Sequence, residues 1–199
     1  RASRRIGKDS YKWAIVNSKG MEQSDVETRS AKAYALAFAV NPRGPDHLFT
    51  EVLAEFGGTP TRLALVKKLT GDEKWANPHV TEYRADLVRY HEDVYAVTDS
   101  LGFCAFTSTA AYAINPKNMA EMFTATTGMK ISEQEIMMAG RRILTLEKSF
   151  NVREGADRKH DDLPWRLMNE PASPPQPGKV FMNSREELDG MLDRYYALQ

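Results

Sequence analysis

The stretch Thr81-Glu-Tyr-Arg-Ala-Asp-Leu-Val-Arg-Tyr-His-Glu-Asp-Val-Tyr-Ala-Val-Thr-Asp-Ser-Leu-Gly-Phe-Cys104 decides how this chain is read. From Thr81 to Thr98 the apolar residues Leu87, Tyr90, Val94, Tyr95 and Val97 recur at close to helical spacing. The pattern runs into Asp99-Ser-Leu-Gly-Phe-Cys104, an acid, then a glycine two residues before the only cysteine, followed by apolar Ala105 and Phe106. An aspartate and a thiol at the end of a buried helix, with a glycine between them, are suited to holding a ligand.

Outward from this stretch the chain stays helical. Residues 4 to 17 read as a helix stopped by Lys19-Gly20. Glu27 to Val40 reads as a second helix, Ala-rich and increasingly apolar, broken by Asn41-Pro-Arg-Gly-Pro45. A further helix is expected to start near Pro45 or Asp46, with His47 in its first turn. Thr61 to Leu69 is expected to be a short helix closed by Gly71. The long helix spans residues 79 to 98. Pro116 is placed to open a helix that continues through Lys117 to Thr127 before Gly128. Ser132-Glu-Gln-Glu135 is a capping box for a helix running to about Phe150, and Ser184-Arg-Glu-Glu187 opens a final one. Residues 151 to 183 carry Pro164, Pro171, Pro174, Pro175 and Pro177 and read as irregular. Met119, Met122, Met137 and Met138 lie at helical spacing and are expected in the core. No stretch alternates at period two for long enough to make a strand. The expected fold is all-α and multihelical, with residues 1–19 ending a preceding helical domain and 20–199 forming a C-terminal helical domain.

Composition narrows the function. The 27 Lys and Arg balance the 27 Asp and Glu, so the chain lacks the basic footprint of a nucleic-acid or anionic-membrane binder. No run approaches the roughly 18 apolar residues that span a bilayer, and no secretory signal is visible. One cysteine cannot form an internal disulfide, which fits a reducing cytoplasm. The chain starts at Arg1 inside a helical pattern and is read as a piece of a longer protein, so that Cys104 need not act alone.

Asp99-x-x-Gly-x-Cys104 resembles the pterin- and cluster-binding motif of the tungsten-containing aldehyde:ferredoxin oxidoreductase family. Four further patterns match that family in the same order. Gly20-Met-Glu22 with Thr28-Arg29 resembles its Gly-x-Glu segment. Ala35-Leu-Ala-Phe-Ala39, Arg43-Gly44 and His47-Leu48 resemble its Ala-rich helix and Arg-Gly-x-x-His-Leu run. Gly140-Arg-Arg-Ile143, Leu146-Glu147 and Phe150-Asn-Val-Arg-Glu-Gly155 are similar to its Gly-x-Arg-Ile, Leu-Glu and Phe-Asn-x-Arg-x-Gly block, completed by Arg158, Asp162-Leu-Pro164 and Arg166. Leu188-Asp189, Met191-Leu192 and Tyr195-Tyr196 resemble its last helix.

The resemblance covers nearly the whole chain, as the C-terminal portion of a longer oxidoreductase. It implies a tungsten-bis-pterin (molybdopterin) cofactor, less readily molybdenum, and a [4Fe-4S] cluster. Cys104 would be the fourth cluster ligand, with three cysteines upstream of this chain. Asp99, with the backbone of Leu101 and Gly102, would contact the pterin. His47 matches the active-site histidine, suited to moving a proton near neutral pH. The implied reaction oxidises aldehydes to carboxylic acids with ferredoxin, or an iron-sulfur electron-transfer subunit, as acceptor. The longer spacer between His47 and Asp99, and Asn41-Pro-Arg-Gly-Pro-Asp-His47 itself, look closer to the branch containing the tungsten subunit of class II benzoyl-CoA reductase. That alternative makes an aromatic acyl-CoA the substrate.

The residues alone leave plainer roles open. Cys104 could be a small core residue, Asp99 a helix-end hydrogen-bond acceptor, and His47 a satisfied core or surface group. His79, His91 and His160 match nothing chemical. Arg153, Glu154, Arg158 and Asp162 read as ion pairs. The rival from another class is a non-catalytic helical interaction module, which a parent sequence lacking three closely spaced upstream cysteines would favour. The 199-residue piece by itself is expected to be inactive; turnover by it, with bound iron, would contradict this.

Overall fold

The computed structural model describes residues 1–172 and 180–199. Pro174, Pro175 and Pro177 lie outside them. Among the described residues eight α-helices carry the fold: α1 (Ala2–Ile6), α2 (Lys32–Val40), α3 (Pro60–Thr70), α4 (Arg84–Leu101), α5 (Pro116–Thr127), α6 (Glu133–Arg153), α7 (Trp165–Asn169) and α8 (Arg185–Ala197). No strand occurs among the described residues; one antiparallel bridge joins Val16 and Glu22. The chain is all-α.

Local chemistry sets most helix ends. Asn115, Ser132 and Ser184 each accept a backbone N–H in the first turn of α5, α6 and α8, within reciprocal capping boxes. Gly71, Gly102 and Gly128 take left-handed conformations that close α3, α4 and α5.

Three of the expected helices differ in extent. Residues 4–17 do not form one: α1 stops at Ile6, Lys8 and Asp9 turn left-handed, and only a single 3₁₀ turn follows, Ser10–Lys12. The second helix begins at Lys32 rather than Glu27, because Ala31 is extended (φ −140°) after a 3₁₀ turn, Thr28–Ser30. α4 begins at Arg84, after Tyr83 at φ +59°. The Arg84 guanidinium explains the turns before it, donating to the carbonyls of Trp75 (2.5 Å), Asn77 (2.9 Å) and Glu82 (3.0 Å).

α2 is buried at all nine positions, and α4 and α8 pack on it. A residue string without a polar face demands neighbours on every side. Its ends are met by charged side chains. The Glu55 carboxylate, completely buried, accepts from the N–H groups of Ala33 (2.8 Å) and Tyr34 (3.2 Å) and lies 3.6 Å from Arg84. Burial pushes this carboxyl up, against those amides and the guanidinium. At the other end Lys19 Nζ donates to Ala39 O (2.5 Å) and Asn41 O (2.9 Å), and Lys148 Nζ donates to Val40 O.

α4 and α6 form the most extensive helix contact. Gly140 permits it, since a Cβ there would lie 2.4 Å from Asp93 O. Arg141, the next residue, pairs with Asp93 at 2.9 Å. Beyond this crossing Val94, Val97, Met119, Ala120 and Ile136 knit α4, α5 and α6 into a second apolar cluster. Met119 is in that core and Met137 packs on it, but Met122 and Met138 are 44% and 54% exposed, because the faces of α5 and α6 that bear them turn outward.

Glu92 is a buried acid inside the bundle. Tyr195 donates to its Oε2 at 2.7 Å, while Oε1 has no partner. Burial raises its carboxyl from 4.5 to about 7, against the pull of Lys148 and Arg141.

Two outcomes follow for the intact protein. Gly140→Ala should cost about 1–3 kcal/mol by overpacking, read as a lowered urea midpoint; an unchanged midpoint would show that the helices part easily. Folded Glu92 keeps its proton to about pH 7 and unfolded glutamate releases it near 4.5, so folding takes up a proton in that window and stability falls as pH rises through it. Glu92→Gln, which retains an acceptor for Tyr195, should make the decline of melting temperature between pH 4.5 and 7 shallower. Parallel declines in variant and wild type would contradict this.

Candidate functional site

His47 does not open a helix. Residues 41–50 form a succession of turns braced by their own polar side chains. Asn41 Oδ1 accepts from Arg43 N (3.0 Å) and its Nδ2 donates to Asp46 O (3.2 Å). Asp46 Oδ1 accepts from Leu48 N (2.8 Å), and its other oxygen pairs with Arg43. Such Asx-type bonds compete directly with helix formation. Gly44 stands at φ +123° with Met21 Cβ 2.6 Å from where its own Cβ would be, so only glycine fits this turn. From outside, Asn151 Nδ2 on α6 donates to Pro42 O (2.6 Å) and Ser24 N to Pro45 O (2.9 Å). His47 is half-buried, and its Nδ1 is fully enclosed with no hydrogen-bond partner.

The other predicted residues lie at the end of α4. The helix is buried from Val94 to Thr98, but Asp99, Gly102 and Cys104 are exposed and Leu101 is half-buried. The expectation of a buried carboxylate is therefore corrected for this chain: the last turn of α4 passes beyond the core formed by α5 and α6. Gly102 (φ +72°) terminates the helix, its N–H donating to Asp99 O (3.2 Å) and that of Phe103 to Thr98 O (3.0 Å). Cys104 O accepts from both N and Oγ1 of Thr107, at 3.0 and 2.7 Å. An exposed thiol also removes the plain core role for Cys104, since free cysteine is ordinarily among the most buried residues.

The structure links the loop and the helix end through Arg43. Partial burial raises the Asp99 carboxyl and Arg43 opposes the shift. Glu147 on α6 is raised in the same way, with Arg43 lowering it and Asp99 raising it. Its Oε2 is enclosed and unpartnered. Arg43 also pairs with Asp46 and lies 5.3 Å from the Phe49 ring centre. Arg43 and Glu147 are thus members of the cluster that the sequence did not single out, although both sit inside quoted motifs. Neither has a local sequence signal of its own: Arg43 is an exposed residue of the turn and Glu147 a half-buried one on α6.

Two broad surface recesses, about 770 Å³ beside Thr81–Asp86 and Glu186–Arg194 and about 610 Å³ beside Tyr11 and Trp165, contain none of these residues. Among the described residues no group of three or more His, Cys, Asp and Glu side chains gathers as a metal site, and no helix is long and apolar enough to cross a membrane. His91 is buried against Leu87 O and Tyr112, His160 bonds Asp157, and His79 stacks on Phe181. Arg153 pairs with Glu154 and Arg158 with Asp193, while Asp162 accepts from Ser18.

The described body is all-helical, with a carboxylate and a thiol exposed at the end of α4 and a half-buried imidazole in the turn that follows α2. The chain belongs to the aldehyde ferredoxin oxidoreductase family, matching "Aldehyde ferredoxin oxidoreductase, domains 2 & 3" over residues 1–199. It is similar to the tungsten-containing aldehyde ferredoxin oxidoreductase of Pyrococcus abyssi, 29% identical over 184 residues, covering 91% of this chain and 27% of that protein. The enzyme of the same name from Thermococcus kodakarensis is 26% identical over 206 residues, covering 98% and 31%. The chain therefore spans less than a third of these relatives. Among solved structures, the active-site complex of benzoyl coenzyme A reductase with 1,5-dienoyl-CoA shares the fold, with a TM-score of 0.68 over 99% of this chain and 32% of that one, at 20% identity.

Proposed function

We propose that this chain is the C-terminal part of a cytoplasmic tungsten-bis-pterin, [4Fe-4S] oxidoreductase that oxidises aldehydes to carboxylic acids and passes electrons to ferredoxin. Family membership and the tungsten-containing relatives support the class. The observation that carries the site is the exposed Asp99–Cys104 helix end, joined electrostatically through Arg43 to the turn bearing an unpartnered His47 Nδ1.

These donors fit the group. Asp99 offers carboxylate oxygens to the amino and ring N–H groups of a pterin, and Gly102 leaves the backbone beside Leu101 free of a side chain. Cys104 offers one thiolate of the four that a cluster needs, the other three belonging to the upstream part of the protein. When bound, the tungsten-pterin supplies the two-electron chemistry. The net change takes an aldehyde and water to a carboxylic acid, two protons and two electrons. His47, with Nδ1 facing no partner in this chain, takes up a proton released in that change. Arg43 partly opposes the effect of burial on Asp99 and steadies the loop through Asp46. The alternative, a reductase acting on an aromatic acyl-CoA, is favoured by the segment Asn41–His47 and would run His47 as proton donor.

The test is elemental analysis of the intact protein purified without oxygen. About one tungsten and about four irons per chain are expected, with Cys104→Ala lowering iron and His47→Asn retaining both metals while losing turnover. Aldehydes and aromatic acyl-CoA thioesters are then compared as substrates. Folded protein with neither metal nor iron would leave a non-catalytic helical module.

A further inference from the structure

A cavity of about 110 Å³ lies between α3, α4 and residues 106–116. Leu65, Val94 and Ile114 make its apolar wall, and the exposed Thr61 and Asn115 mark its mouth. Two rare backbone features meet at it. Residues 106–110 wind as a single π-turn closed by Ala111 N to Phe106 O (3.0 Å), a geometry found mostly at functional sites. Tyr112 then stands at φ +55°, a disfavoured conformation for a bulky residue that persists only where its surroundings over-determine it.

The Tyr112 hydroxyl is held by His91 and by the backbone N–H of Ala54. His91 Nδ1 lies 2.7 Å from Leu87 O, which requires the proton on Nδ1, so Nε2 accepts from the Tyr112 hydroxyl at 2.8 Å. Burial keeps this imidazole neutral, lowering it to about 4. Neither ring nitrogen is left over. The Tyr90 hydroxyl and the side chains of Thr61 and Asn115 also line the cavity, and the hydroxyls nearest its floor are those of Ser108 and Thr109, the latter also bonded to Tyr95. Thr98 donates to Val94 O (2.7 Å), which leaves Ser108 to donate to Thr98 (3.1 Å) or Ala105 O (3.4 Å); Thr109 donates to Ala105 O (3.1 Å). Both protons point back into the protein, and the oxygens keep acceptor lone pairs. No Lys or Arg lines the cavity.

We propose that this cavity binds a small neutral molecule, roughly ring-sized, that carries one O–H or N–H donor. Its apolar body lies against Leu65, Val94 and Ile114, and its donor is accepted by Ser108 or Thr109. An anion would meet no Lys or Arg in the lining to offset its desolvation. At about 110 Å³ it is somewhat smaller than the apolar cavity of about 150 Å³ that takes up benzene, and it opens at its mouth, so a single small ring is the upper limit. Ser108 follows Thr107, which holds the Cys104 carbonyl, so an occupant stiffens the segment that begins at Cys104. The inference is independent of the cofactor assignment.

The test is ligand-observed NMR titration on the intact protein with phenol, toluene and benzoate. Saturable binding of phenol is expected, about fivefold tighter than toluene, as one hydrogen bond provides, with none for benzoate. Thr61→Trp, at the exposed mouth, should abolish phenol binding without lowering the melting temperature. Ser108→Ala with Thr109→Val should erase the preference for phenol while toluene still binds. Absence of saturable phenol binding, binding unchanged by Thr61→Trp, or toluene binding as tightly as phenol to wild type would each overturn the proposal.

Discussion

The buried helix α2 is the constraint on which the rest of the molecule depends. A helix leaves its first N–H groups and last carbonyls unpaired, and burial without partners costs about 1–3 kcal/mol for each such group. Here charges of the right sign meet both ends: Glu55 at the amino end, and Lys19 and Lys148 at the carboxyl end. The macrodipole makes each pairing more favourable than its mirror. These caps come from distant parts of the chain, so closing α2 brings Lys19, residue 55 and α6 to one place. Asp161 completes the arrangement by pairing with Lys19 at 2.7 Å, and Tyr196 donates to the same carboxylate.

The position of the candidate site follows from that closure. The turn bearing His47 leaves α2 directly and is clamped where Lys148 and Asn151 of α6 reach Val40 and Pro42. α6 is in turn held to α4 by the close approach at Gly140 and the Arg141–Asp93 pair. The same three helices therefore fix how far the end of α4 stands from the His47 turn. Within that frame Arg43 acts on Asp99 and Glu147 together. Two enclosed polar atoms, His47 Nδ1 and Glu147 Oε2, find no partner within the chain, although such atoms are ordinarily satisfied. Glu147 lies close enough to Asp99 for its carboxyl to be raised by it, and an unsatisfied acceptor beside that helix end is the physical ground for expecting a ligand there.

Much of this was legible beforehand, and the failures share one cause. Helix starts at Pro116, Ser132 and Ser184 and stops at Gly71 and Gly128 depend on neighbours within about four residues, so the sequence announces them. The break after Ile6, the late starts of α2 and α4, and the non-helical turn at His47 depend on partners farther off or on side chains that bond their own backbone. Apolar periodicity is blind to both. Met122 and Met138 show the same limit, since helical spacing places them on a face without saying whether another element covers it.

By itself the sequence determined the all-helical class, the capped helices, and the motifs through which Asp99, Cys104 and His47 could be picked out, because each rests on short-range spacing. Tertiary structure alone decided that Cys104 is exposed, that Arg43 couples the His47 turn to Asp99 and Glu147, and that Glu55, Lys19 and Lys148 close α2. Those contacts join residues tens to more than a hundred positions apart. They exist only once the burial of α2 has drawn those segments together.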